Sequence, residues 1–132
     1  MTIPETLSEM RFLMHRKTTL QDQLERARSA ATTSGGIGDG MPHGNAQEPK
    51  LERYGLYIAE LSAQIDTIDR KLAIYADDLR PVINRVGDAR DAEALRLRYI
   101  NNLSASKVAE KMQYNRTAML RIIRNAEAIW MK

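Results

Sequence analysis

Arg116, Arg121 and Arg124 stand close together in "NRTAMLRIIRNAEAIW", a stretch whose apolar residues recur at helical spacing. On a wheel at ~100° per residue with Met119 at zero, Ile122, Ile123, Ala126 and Trp130 fall within about 60° of it. Thr117, Arg121, Arg124 and Ala128 fall opposite, between roughly 140° and 200°, while Arg116 and Leu120 occupy one flank. A guanidinium fork pairs bidentately with guanine O6 and N7 or with a phosphate, and Thr117 can touch a thymine methyl. No acidic residue precedes Glu127 in this stretch, so its first turns are cationic, and the dipole of a helix starting there adds to that charge.

Such a side chain set is useful only if the elements before it present it. Ser104 has the position of a helix cap before Val108, Ala109 and Met112, which share one face. "QYN" makes a tight polar turn, and Asn115 caps a final helix that the pattern carries to about Met131. An earlier helix, about Asp88 to Asn101, sets Ala92, Leu95 and Tyr99 on one side with Leu97 and Ile100 beside it. The spacing is that of a helix-turn-helix, in which the last helix enters the major groove N-terminal end first. Candidate DNA-contacting residues are Ser104, Lys107, Asn115, Arg116, Thr117, Leu120, Arg121 and Arg124, with Ser104 and Lys107 on phosphate.

The front of the chain reads as assembly. Leu7, Met10, Leu13, Met14, Leu20, Leu24, Ala27 and Ala31 form the stripe of an amphipathic helix over residues 1–32, with Thr2 and Glu5 at capping-box spacing and Pro4 in the first turn. Residues 33–49 read as a flexible linker with five glycines and two prolines. From residue 50 to 87, Leu51, Ile58, Ile65, Leu72 and Leu79 recur every seven residues, and Tyr54, Leu61, Ile68 and Tyr75 follow the first four by three. Pro81 should kink this helix, and Gly87 and Asp88 make a stop and a cap. The seam extends about 40 Å at 1.5 Å per residue. It has two readings, a hairpin with the first helix and a seam between chains. Its regularity favours a homodimer through Leu51, Tyr54, Ile58, Leu61, Ile65, Ile68, Leu72 and Tyr75. Residues 88–132 form the remaining domain, and the expected fold is all-α.

Charge supports this division. Residues 1–87 carry 11 Lys/Arg and 12 Asp/Glu, whereas residues 88–132 carry 9 and 5, so the last third is cationic and the front close to neutral. Cysteine is absent, which excludes disulfides, thiolate metal sites and a cysteine nucleophile. No apolar run has the length of a signal peptide or a membrane span, and a cytoplasmic protein is expected. "GGIGDG" lacks the strand, the Lys and the following helix of a phosphate loop. His15 and His43 have no ligand partner at metal-binding spacing. Asp66 and Asp69, and Asp77 and Asp78, fit a solvated helix face, and Ser104 and Ser106 lack a nearby histidine. No enzyme activity, metal or cofactor is expected.

"ALRLRYINNLSASKVAEKMQYNRTAMLRIIRNA" resembles region four of bacterial sigma factors, in which an "LRY" helix, a loop ending in Leu-Ser, a second helix and a recognition helix follow one another. A heptad helix running into this motif also resembles phage late transcriptional regulators of the ArpU and RinA type. The resemblance rests on Leu95, Leu97, Arg98, Tyr99, Leu103, Ser104, Val108, Ala109, Met112, Tyr114, Asn115, Arg116 and Arg121. The front two thirds match in architecture alone. Gln113 departs from the pattern, standing where this group usually has glycine. It must adopt a left-handed conformation, at about 1 kcal/mol, or the turn must differ. The resemblance implies an activator of late phage genes that binds double-stranded DNA, with host RNA polymerase as a further candidate partner. Two alternatives are a small-terminase-like packaging protein and an interaction module that holds RNA polymerase without touching DNA.

Overall fold

The computed structural model is all-α. It describes residues 1–36 and 44–131, with the side chains of 33–36 and 44–51 left aside. The elements are α1 (Ile3–Gly36), α2 (Gly44–Asn84), α3 (Ala89–Leu95), a π-helical turn (Arg96–Ile100), α4 (Ala105–Met112), α5 (Arg116–Ala128) and a closing 3-10 turn (Ile129–Met131). Among the described residues there is no strand, and no helix is long and apolar enough to cross a membrane.

Helix α1 starts where the capping pattern says it should. Glu5 N–H donates to Thr2 Oγ1 and Thr2 N–H donates to Glu5 Oε2, both at 3.3 Å, so two amides that the first turn leaves unpaired are satisfied reciprocally. Both long helices extend into the stretch read as linker, α1 to Gly36 and α2 from Gly44. Residues 37–43, which hold His43 and the remainder of the glycine-rich motif, lie outside the described residues. Pro81 does not end α2, which continues as helix to Asn84. The proline supplies no N–H to the carbonyl one turn back, but α2 ends three residues later, so few further hydrogen bonds depend on it.

Chain contacts divide the molecule into two compact units. One comprises residues 15–69, the other residues 1–14 with 70–132. The boundaries expected at 32 and 87 therefore do not delimit the units. The unit 15–69 is a helix pair in which Lys17 of α1 meets Asp69 of α2 at 2.6 Å. Its buried stripes are Leu20, Leu24 and Ala27 on one helix and Leu61, Ile65 and Ile68 on the other, each spaced by four and then three residues. Burial of these residues at ~25 cal/mol per Å² of apolar surface is what holds two such helices together.

These positions change the reading of the heptad seam. Leu61, Ile65, Ile68 and Leu72 are buried within the single chain, Leu72 completely. Tyr54, Ile58 and Tyr75 are half-buried, and the side chain of Leu51 lies outside the described residues. The centre of the seam is thus already covered without a second chain. Helix pairs need only a matched apolar strip and not a strict heptad on both partners.

In the other unit, Leu7, Met10 and Leu13 of α1 and Leu72, Ala76, Leu79 and Ile83 of α2 are buried together with the three short helices. The centre of the short-helix group is Ala94, Val108, Ala109, Met119, Ile122 and Ile123, with Leu97, Leu103, Ala105 and Met112 packed around them. Asp88 caps α3 by accepting from Asp91 N–H at 3.1 Å. The helix expected from Asp88 to Asn101 is α-helical only to Leu95. It then widens into the π turn, with Asn101 N–H reaching Arg96 O at 3.0 Å, five residues back.

Candidate nucleic-acid interface

The candidate interface is built by α4, the turn after it and α5. Ser104, in an extended conformation, accepts from Lys107 N–H at 3.3 Å and starts α4. At the other end Gln113 has φ 62° and ψ 43°, a left-handed conformation. Tyr114 N–H donates to Ala109 O at 2.9 Å and Gln113 N–H to Glu110 O at 3.3 Å, the paired bonds of a Schellman ending. Gln113 takes the conformation that glycine would take more readily, the first of the two outcomes that its place in the turn allowed. Asn115 then accepts from Ala118 N–H at 2.7 Å and opens α5. One three-residue turn, fixed by hydrogen bonds on both sides, therefore sets where α5 points relative to α4.

Met119, Ile122, Ile123 and Ala126 of α5 are buried and Trp130 is half-buried, which places the stripe where the wheel put it. Arg116, Thr117, Arg121 and Arg124 are exposed and Leu120 is half-exposed at their side. Thr117, Leu120, Arg121, Arg124 and Asn125 line one shallow concavity. Among the described residues no carboxylate stands within ion-pair distance of Arg116, Arg121 or Arg124. The nearest acid along α5, Glu127, is turned inward and only 7% exposed. The outward side of α5 is therefore cationic and uncompensated, a surface suited to phosphate and to the acceptor edge of guanine.

Two candidates have part of their chemistry in use. The Asn115 carbonyl oxygen holds the α5 cap, which leaves its NH2 group to a ligand. Ser104 Oγ accepts from the backbone and keeps only its O–H to donate. Lys107 lies 3.7 Å from Glu110, both well exposed, so this pair exchanges for a phosphate at little cost.

A second constellation, behind the interface, was not anticipated. Tyr99, near the end of the π turn, is fully buried and donates its hydroxyl to Glu127 Oε1. Arg11 of α1 donates from Nη1 to Tyr99 Oη at 3.0 Å and to Glu127 Oε2 at 3.3 Å. Burial, and then the adjacent Glu127 carboxylate, push the Tyr99 phenol well above its ordinary pKa, with Arg11 opposing. One residue earlier, Arg98 donates to Leu103 O at 3.0 Å and to Met14 Sδ at 2.9 Å, with its guanidinium 5.4 Å from the Tyr99 ring centroid. The signal for this constellation was on the wheel. Glu127 lies roughly 80° from Met119, at the edge of the apolar stripe, and a buried tyrosine hydroxyl needs a partner.

Comparison with protein-family models, with curated proteins and with solved structures finds no match to this chain.

Proposed function

We propose that this protein is a sequence-specific DNA-binding regulator of transcription that lays the N-terminal half of α5 in the major groove. The observation that carries the reading is the outward side of α5, where a helix whose opposite side is buried presents three arginines and Thr117, the arginines with no carboxylate within ion-pair distance among the described residues. Arg121 and Thr117, at the middle of that side, take the base edges. Arg116, Arg124, Lys107 and the Ser104 hydroxyl take the flanking phosphates. The resemblance to phage late regulators makes late phage promoters the proposed target.

The test is selection of bound fragments from a random duplex pool, followed by affinity measured against salt. The expected result is enrichment of one short motif and an affinity that falls with log salt, at a slope of roughly 0.9 per phosphate neutralised. Binding to a protein partner that ignores salt, with no motif enriched, would replace this reading with the polymerase-holding alternative. A large ring of subunits on DNA would favour packaging.

A further inference from the structure

The N-terminal turns of α1 belong to the same compact unit as α5, and a specific set of polar contacts joins them. Arg11 stands 116 residues from Glu127 in sequence, yet one nitrogen of its guanidinium reaches both Glu127 and Tyr99. Glu127 lies in the last turns of α5, on the edge of its buried stripe, while Arg121 projects about 120° round the same helix and Arg124 stands between the two. Fixing Glu127 therefore fixes the rotation of α5 about its own axis. The apolar contacts of Met119, Ile122 and Ile123 are less selective in this respect, because dispersion forces tolerate small rotations that a directed hydrogen bond does not. The Arg98 bond to Met14 ties the π turn that carries Tyr99 to the next turn of α1. The groove of about 350 Å³ that Arg11, Tyr99 and Glu127 line also includes Leu120 and Arg124, so the clamp sits directly behind two interface residues.

We infer that Arg11 is a positioning residue for the recognition helix: through Tyr99 and Glu127 it sets the angle at which α5 offers Arg121 and Thr117 to base edges, so that the first helix contributes to sequence discrimination without touching DNA. The inference rests on the DNA-binding reading given above. A clamp of this kind acts on the ratio of target to random affinity. Phosphate contacts from flexible side chains survive a small rotation of the helix, whereas bidentate base contacts do not.

The experiment uses the full-length chain with Arg11→Met, which keeps the apolar stem, Arg11→Lys, which restores a cation, and Tyr99→Phe. The expected result is that Arg11→Met and Tyr99→Phe lower the target-to-random ratio by about tenfold, while affinity for random DNA stays within about twofold. Arg11→Lys should recover most of the ratio. In parallel, without DNA, amide exchange over residues 122–128 should accelerate by about tenfold in Arg11→Met while that of α4 is unchanged. An unchanged ratio in folded Arg11→Met and Tyr99→Phe, or unchanged protection in α5, overturns the inference. Should Arg11→Met not fold, Tyr99→Phe alone carries both readouts. A wild-type chain that fails to discriminate between DNA sequences overturns the functional reading, and the exchange measurement still decides whether the clamp holds α5.

Discussion

Arg121 and Glu127 lie six residues apart on one helix and do opposite things. Arg121 is exposed with no carboxylate in ion-pair distance among the described residues, and Glu127 is buried with two donors. The difference follows from their wheel positions, which mark Glu127 as lying at the edge of the buried stripe but do not name its partners. An exposed cation is recognised by what surrounds it in sequence, whereas a buried carboxylate is explained by a residue 116 positions away. If Arg121 makes a bidentate base contact, Arg121→Ala should weaken binding to the selected motif by about 1–3 kcal/mol and relax preference at one position. Titration against motif and random duplexes separates this from a phosphate role, which would weaken both equally. Tyr99 gives a second prediction at this scale. Its folded pKa is raised, so above about pH 10 the unfolded chain releases a proton that the folded chain keeps. The unfolded state then binds fewer protons, and stability must fall as pH rises. The contribution is complete below about pH 10 and is lost above it. Urea midpoints measured between about pH 9 and 11 should fall more steeply for wild type than for Tyr99→Phe.

Among elements, the short helices were legible because their ends are chemical. Ser104, Asn115 and Asp88 each accept a backbone amide three residues on, and the Thr2 and Glu5 pair does so reciprocally. The π turn at Arg96–Ile100 was not legible, because widening a helix by one residue leaves no compositional mark and depends on what the displaced side chains reach. Here it delivers Tyr99 to Glu127 and Arg98 to Met14. The passage of α2 through Pro81 was expected, since Val82 and Val86 continue the apolar phase, and the helix does run on to Asn84. The left-handed Gln113 supplies a test of the turn. Gln113→Gly should raise stability by about 1 kcal/mol, since glycine adopts φ 62° without the Cβ penalty. Chemical denaturation measures it, and a loss of stability would mean that the Gln113 side chain contributes more than its backbone costs.

For the whole molecule, the heptad repeat of α2 reads as a covered stripe with two candidate covers, the first helix and a second chain. Periodicity states that a face is buried and is silent on whether the cover belongs to the same chain. Leu61, Ile65, Ile68 and Leu72 are buried in a single copy. The unfolding midpoint should therefore stay constant across a hundredfold range of protein concentration, about the span over which a dimer held by that seam would shift visibly. Leu72→Ala should cost about 2–5 kcal/mol at every concentration, read by urea unfolding. A midpoint that climbs with concentration would return the seam to a partner chain.

The division of the chain also bears on its synthesis. One unit is continuous, residues 15–69, while the other is assembled from both ends of the polypeptide. A ribosome translating this message can release the inner helix pair early, but the surface proposed to face DNA must wait until Glu127 has left the exit tunnel and met an arginine made 116 residues before it. Nascent chains stalled partway would carry a finished hairpin and an α5 that still lacks its clamp.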